Sequence, residues 1–326
     1  MPKNNNLQPA SLPMPLRFGE KPVTEFINNL DAIEVVLLNY PTVDQLISAI
    51  IPFTNATWND DPIQVRDNMT MKEKIQNVYD AFHFKYLPQS LEAVNLTFLL
   101  KGIDMQTVTH ILRNRVGFTF SAECSGDKWW TYKKSLVPNS VQQSDEFYKR
   151  WKKITQDCKE LYCDMIDSKK ISIMDARHIL PRNMETYYLM HVNFLSLLNF
   201  LKQRIDKQIQ PEEDNVLAYR LLIETIKKVP FAINCVDIHA PAMHYVKMAR
   251  TGKATNLYFP DKDSDKFEWN ENDFIYQCTR DEMNGTNENA TNHFNQVLVA
   301  IEDELNRETE KAKATLNELA GEEILY

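Results

Sequence analysis

Arg177, Asn193, Asn199 and Arg204 stand within a largely apolar run, DARHILPRNMETYYLMHVNFLSLLNFLKQRIDKQIQPEE, that fills positions 175–213. A buried polar group needs a partner. Leaving Asn199 unpaired inside Leu-Leu-Asn-Phe-Leu costs on the order of 1–3 kcal/mol, so a neighbouring helix or a ligand must satisfy it. Asn193 and Arg204 point to an anion, provided that the local structure places them together.

The elements that would do so are legible. Positions 184–192 are rich in aromatic and β-compatible residues and lack Gly and Pro, which predicts a strand. Asn193 then caps a helix, and the apolar period changes. Phe194, Leu198, Leu201 and Ile205 form one stripe, while Ser196, Asn199, Gln203 and Arg204 fall outside it. An Asn cap at a strand-to-helix junction aims backbone N–H groups and the positive end of the helix dipole at one spot, which favours phosphate or another anion. Arg204 follows about three turns later on roughly the same side. On these residues alone, an internal structural role and a ligand role both stay open.

A second patch, QTVTHILRNRVGFTFSAECSGDKWW at 106–130, begins as a short helix with Asp104 as its cap and Val108, Ile111 and Leu112 on one face, and it breaks at Gly117. Arg113 and Arg115 lie at the end of that helix, where cations either complement the dipole or meet a ligand.

The 175–213 segment resembles, without a gap, the C-terminal half of the flavin-dependent thymidylate synthases, whose pattern reads approximately ARxxLPxxxYTxxxxxxNxxSLxxFLxLR. The matching residues are Ala176-Arg177, Leu180-Pro181, Thr186, Asn193, Ser196-Leu197, Phe200-Leu201 and Arg204. Arg113-Asn114-Arg115, leading to Glu123-Cys124-Ser125-Gly126, is similar to the family's RHR element and its NExSxRY context. Glu92-Ala93 with Thr97-Phe98 is similar to the EHxxxTF element that opens a strand. The resemblance covers roughly 90–252.

Departures accompany the matches. Nine residues, where the family has seven, separate Arg115 from Ser125, and Asn114 replaces the central His. Asp127 stands where the family has a phosphate-binding Arg, with Lys128 next to it. Leu195 and Gln208 replace an Arg and a His that face the flavin, and Ala93 replaces a His.

The resemblance implies an α+β fold with an antiparallel sheet and long helices, assembled as a homotetramer with sites between subunits. It implies transfer of a one-carbon unit from methylenetetrahydrofolate to the 5-position of dUMP, with FAD as cofactor and NADPH as reductant. Arg204 would be catalytic, polarising the pyrimidine as charge develops on its carbonyl. The nucleotide would be held by His110, Arg113, Glu123, Ser125, Gly126, Asp127, Arg177 and Arg204. FAD would meet Ser90, Arg113, Asn114, Arg115, Glu123, Asn193, Leu195 and Asn199. The altered contacts admit two alternatives: a hydroxymethylase acting on dUMP or dCMP for modified DNA, and a non-catalytic nucleotide-binding relative.

Composition bounds the rest. The chain has 326 residues, 43% of them hydrophobic, enough for a substantial core. We divide it into an N-terminal extension at 1–40, a core at 41–252 and a C-terminal extension at 253–326. In more detail, 23–82 carries helical patterns broken near Pro41, Pro52 and Pro62. The 253–292 stretch reads as loop-rich, and 294–318 as an amphipathic helix with Val297, Ile301, Leu305 and Leu316 on one face, a packing or oligomer element. A net charge of -8 gives no footprint for a nucleic-acid polymer. No apolar run is long enough for a membrane span, and the polar start lacks a signal-peptide centre, so the expected location is cytoplasmic.

Cys124, Cys158, Cys163, Cys235 and Cys278 form no CxxC pair, which suits reduced thiols and a chemistry without a cysteine nucleophile. His239 and His244, near Asp237 and Cys235, match no standard metal spacing, so no metal is expected. With seven glycines and no GxGxxG or P-loop, a classical dinucleotide or nucleoside triphosphate fold is not expected.

Overall fold

A computed structural model describes residues 19, 21–125, 130, 132–205, 207, 211–234 and 287–321. Its centre is an antiparallel sheet of four strands in the order β2-β3-β6-β4: β2 (Glu34–Asn39), β3 (Asn95–Ile103), β6 (Thr186–Asn193) and β4 (Phe118–Ala122). Alternation fixes which side is covered. Leu96, Phe98 and Leu100 of β3 and Tyr188, Met190 and Val192 of β6 are buried on one face, and the register sets Phe98 against Met190 and Asn95 against Asn193.

That face is covered by α1 (Val43–Asn55), α3 (Met71–Phe82), α8 (Phe194–Arg204), α9 (Glu212–Lys228) and the long C-terminal helix α10 (Glu288–Ala320), whose apolar residues share one core with the sheet. The α+β architecture and the 184–192 strand therefore agree with the sequence. The 23–82 stretch does not read throughout as helix. β1 (Phe26–Asn28) and β2 occupy its start, because Val35 and Leu37 alternate with outward residues and six positions are too few for a helical stripe. Pro52 lies inside α1 without ending it, and Pro62 takes the first position of α2 (Pro62–Asn68), where its missing N–H costs nothing.

A parallel pair, β1 with β5 (Ser135–Val137), ties the start of the chain to the segment before β6: Asn29 N donates to the Val137 carbonyl at 2.9 Å and Leu136 N to the Asn183 carbonyl at 2.7 Å. Three further helices, α5 (Asn139–Gln142), α6 (Asp145–Asp167) and α7 (Ile173–Ala176), lead from β5 back towards β6, and Tyr162, Cys163, Ile166 and Ala176 form a small second core between α6 and α7.

α10 begins six residues before the expected 294 and buries Phe294, Leu298, Ile301, Leu305 and Leu316 against its own chain. Lys207 pairs with Glu302 at 2.5 Å, and Arg220 and Lys227 reach Glu304 at 2.6 and 2.8 Å. The tail is thus a packing element; most of the stretch read as loop-rich lies outside the described residues. Among the described residues no helix is long and apolar enough to cross a membrane. Ile301 is 1% exposed, so Ile301→Ala should lower unfolding free energy by about 2–5 kcal/mol in urea titration. A change below about 0.5 kcal/mol, the range of surface substitutions, would mean that α10 unfolds apart from the sheet.

Candidate functional site

β6 passes directly into α8 at Asn193. Its backbone is extended, with φ -77° and ψ 155°, and its side-chain oxygen accepts from Ser196 N at 2.8 Å, so the expected cap is present. Asn193 N donates to the Gly117 carbonyl at 3.0 Å. Gly117 has φ +73°, and a Cβ there would stand 2.2 Å from Ser196 Oγ and 2.3 Å from Asn193 Nδ2, so only glycine lets this turn close over the helix start. The same turn follows α4 (Met105–Ile111), and Arg113 and Arg115 are exposed along it.

Asn199 does not need the partner that its apolar neighbours suggest. It is exposed, because α8 turns it away from the sheet, and water can satisfy it. Of the other residues expected near a flavin, Leu195 packs against the core, Asn114 donates to the Ile111 carbonyl at 3.2 Å, and Ser90 is buried with its hydroxyl on the Leu87 carbonyl at 3.3 Å. The elements that fit an anionic, planar cofactor are thus the capped helix start, the close approach allowed by Gly117, exposed Arg113 and Arg115, and exposed Asn199.

At the far end of α8, Arg204 is only 9% exposed although periodicity places it outside the apolar stripe. The reason is a partner from the next helix. Its Nη1 donates to Asp214 Oδ2 at 2.9 Å, its Nη2 donates to the His110 carbonyl at 3.2 Å, and the Asn215 amide donates to the Arg204 carbonyl at 2.7 Å. Asp214, itself buried, also takes His110 Nδ1 at 3.1 Å. A buried guanidinium is thereby fixed in one orientation by α4 and α9. Asp104 caps α4 through Gln106 N and Thr107 N, both at 2.9 Å; burial pushes its carboxyl upward against those donors.

A third group surrounds the loop after β4. Glu123 is buried and pairs with Lys133 at 2.5 Å, and the Lys133 ammonium lies 5.9, 5.4 and 5.6 Å from the rings of Trp130, Tyr132 and Tyr187. Lys159 of α6 is buried beneath, donating to the Lys133 carbonyl at 2.8 Å and to the Val23 carbonyl; desolvation pulls its pKa down to about 8. Arg177 reaches Cys124 Sγ at 4.0 Å, next to half-buried Ser125, so the two sequence patches meet here. Gly126, Asp127, Lys128 and Gln208 lie outside the described residues, as do Cys235, Asp237, His239 and His244. Among the described residues no cluster of His, Cys, Asp and Glu could hold a metal.

Sequence reasoning missed Asp214, Asn215, Lys133 and Lys159. Asp214 sits in Glu-Glu-Asp at the start of α9, where acids ordinarily complement a helix dipole, and no local signal says that it turns back to Arg204. Its neighbour Glu213 carries a measurable consequence. Burial first, then Asp214, Asp104 and Glu212, pushes the Glu213 carboxyl from 4.5 up to about 7. The folded chain holds this proton to higher pH than the unfolded chain does, so its contribution to stability falls as pH rises from about 4.5 to 7. Glu213→Gln should therefore be more stable than wild type at pH 8 by on the order of 1–3 kcal/mol, with the gain shrinking towards pH 4.5. Denaturant titrations at the two pH values check this, and a gain independent of pH would refute it.

Comparison with known proteins shows which family the chain resembles. A flavin-dependent thymidylate synthase from Pyrococcus furiosus is 25% identical over 142 residues, covering 42% of this chain and 57% of the relative, so the match spans little more than half of that protein. One from Thermococcus onnurineus is 24% identical over 206 residues, 60% of this chain and 80% of the relative. Among solved structures, the UMP/dUMP methylase PolB from Streptomyces cacaoi aligns with 66% of this chain and 97% of its own, at a TM-score of 0.51 and 16% identity, a likeness of fold. The family described as thymidylate synthase complementing protein matches residues 36–231, which takes in the sheet from the middle of β2 onward, both arginine patches and α8. With well over half of its length so matched, the chain belongs to that family.

Proposed function

We propose that this protein transfers a one-carbon unit from methylenetetrahydrofolate to the 5-position of a pyrimidine deoxynucleotide, dUMP to dTMP, in a cytoplasmic homo-oligomer. The observation that carries the reading is Arg204, a buried guanidinium with a fixed orientation, at the C-terminal end of the helix whose N-terminal end is capped by Asn193. Arg204 would stabilise charge developing on the pyrimidine carbonyl as the 5-position attacks, and its preset orientation makes that stabilisation available without reorganisation. Arg177, at the start of the 3-10 turn after α7, and Ser125, on the loop after β4, would hold the nucleotide together with Gly126. Asn193, Asn199, Arg113 and Arg115 would hold FAD. When bound, FAD would supply the reducing equivalents, renewed by NADPH, that take the transferred carbon to a methyl group. Arg113, Arg115 and Asn199 are exposed on one chain, which supports pockets completed by a second subunit.

Two measurements test this reading. Leu195 gives its side chain to the core and Asn114 and Ser90 are engaged locally, so FAD should bind with saturable fluorescence quenching in the micromolar range or weaker. No detectable binding at any concentration, with or without nucleotide, would contradict the flavin assignment. With dUMP and dCMP offered in parallel alongside methylenetetrahydrofolate and NADPH, mass analysis should find a methylated product from dUMP. A hydroxymethylated product, or conversion of dCMP alone, would overturn the assigned substrate or oxidation level.

A further inference from the structure

α6 has two faces of different kinds. Thr155, Lys159, Tyr162 and Ile166 are buried against the rest of the chain. Elsewhere on the same helix Phe147, Trp151, Ile154, Cys158, Leu161 and Met165 recur at alternating steps of four and three, the spacing of the seam between two paired helices. Phe147 is 56% exposed, Ile154 61% and Leu161 43%; Trp151 and Cys158 between them are half-buried, as is Met165, which also touches the small second core. A continuous apolar stripe of this length, roughly 30 Å, marks a contact surface rather than a solvated one.

The charges beside the seam say what it contacts. On its solvent flank the first half of the helix carries exposed Arg150 and Lys153 with one acid, Glu146, 3.8 Å from Arg150, a net positive end, and the second half carries only acids, exposed Asp157, Glu160 and Asp164. A parallel copy would set like charges side by side. An antiparallel copy related by a two-fold axis lays each basic half over an acidic half, the self-complementary condition of an isologous interface. In that register Phe147 meets Met165, Trp151 meets Leu161 and Ile154 meets Cys158, each twice, and Arg150 comes opposite Asp164 of the second copy.

We propose that α6 pairs antiparallel with α6 of a second copy of this chain, forming a dimer contact through this seam. The proposal rests on the oligomeric reading above and adds the surface that builds it. Light scattering of the full-length protein tests it. The wild type should run as a dimer or larger. Ile154→Glu should halve the assembly mass while circular dichroism stays unchanged, because Ile154 is exposed on the single chain. The reversal Arg150→Glu with Lys153→Glu should do the same at low salt, and adding Glu160→Lys and Asp164→Lys to it should restore the wild-type mass. A folded Ile154→Glu or charge-reversed protein of wild-type mass overturns the α6 contact while leaving shared sites possible. A monomeric wild type overturns both.

Discussion

The pairing of Arg204 with Asp214 is the contact on which the remainder of the site depends. Two opposite charges removed from water are costly unless each finds good geometry and further hydrogen bonds, and removing one partner of such a pair typically costs about 3–5 kcal/mol. Here the further bonds are present. His110 gives its carbonyl to the guanidinium and its ring nitrogen to the carboxylate, and Asn215 closes on the Arg204 backbone. The contact joins the end of α8, the start of α9 and α4, so it also locates the turn after α4 that carries Arg113 and Arg115.

Such a network serves orientation more than stability. An exposed arginine would sample many rotamers and would have to be ordered when substrate arrives. Arg204 has lost that freedom on folding, and its planar fork points where the two helices hold it. The opposite end of α8 is fixed by different means, since Asn193 caps it and Gly117 allows the α4 turn to touch it. One helix of eleven residues, roughly 16 Å long, therefore links an anion-favouring end to a preset cation. The carboxyls of Asp104 and Glu213 are the cost of this design, since burial pushes both upward, Glu213 to about 7.

Much of this was legible in the sequence, and the exceptions have physical causes. β6, α8, α4 and α10 showed clear periods, and Asn193 and Asp104 each cap their helix as expected. β1 and β2 were missed because strands of three and six residues carry too little pattern to compete with a helical reading. Asn199 and Arg204 both lie outside the apolar stripe, and a tertiary contact separates their environments. Helical spacing alone sends Arg204 outward, but Asp214 from the next helix pays for its burial, whereas Asn199 needs no partner once it faces water. The ion pair of Glu123 with Lys133 was equally hidden, because its ten-residue separation crosses a loop rather than a helix turn.

Arg204 must act on the base, and not merely hold α8 to α9, for the proposed chemistry to run. An Arg204→Lys enzyme keeps the positive charge for Asp214 but loses the two-pronged planar contact. Nucleotide affinity by calorimetry, read beside single-turnover flavin oxidation, separates the two roles. If Arg204 stabilises charge that appears only as the pyrimidine reacts, turnover should fall by on the order of a hundredfold or more while affinity falls far less. A variant that binds nucleotide and turns over like wild type would show that Arg204 is a structural cation, and that the proposed chemistry is wrong.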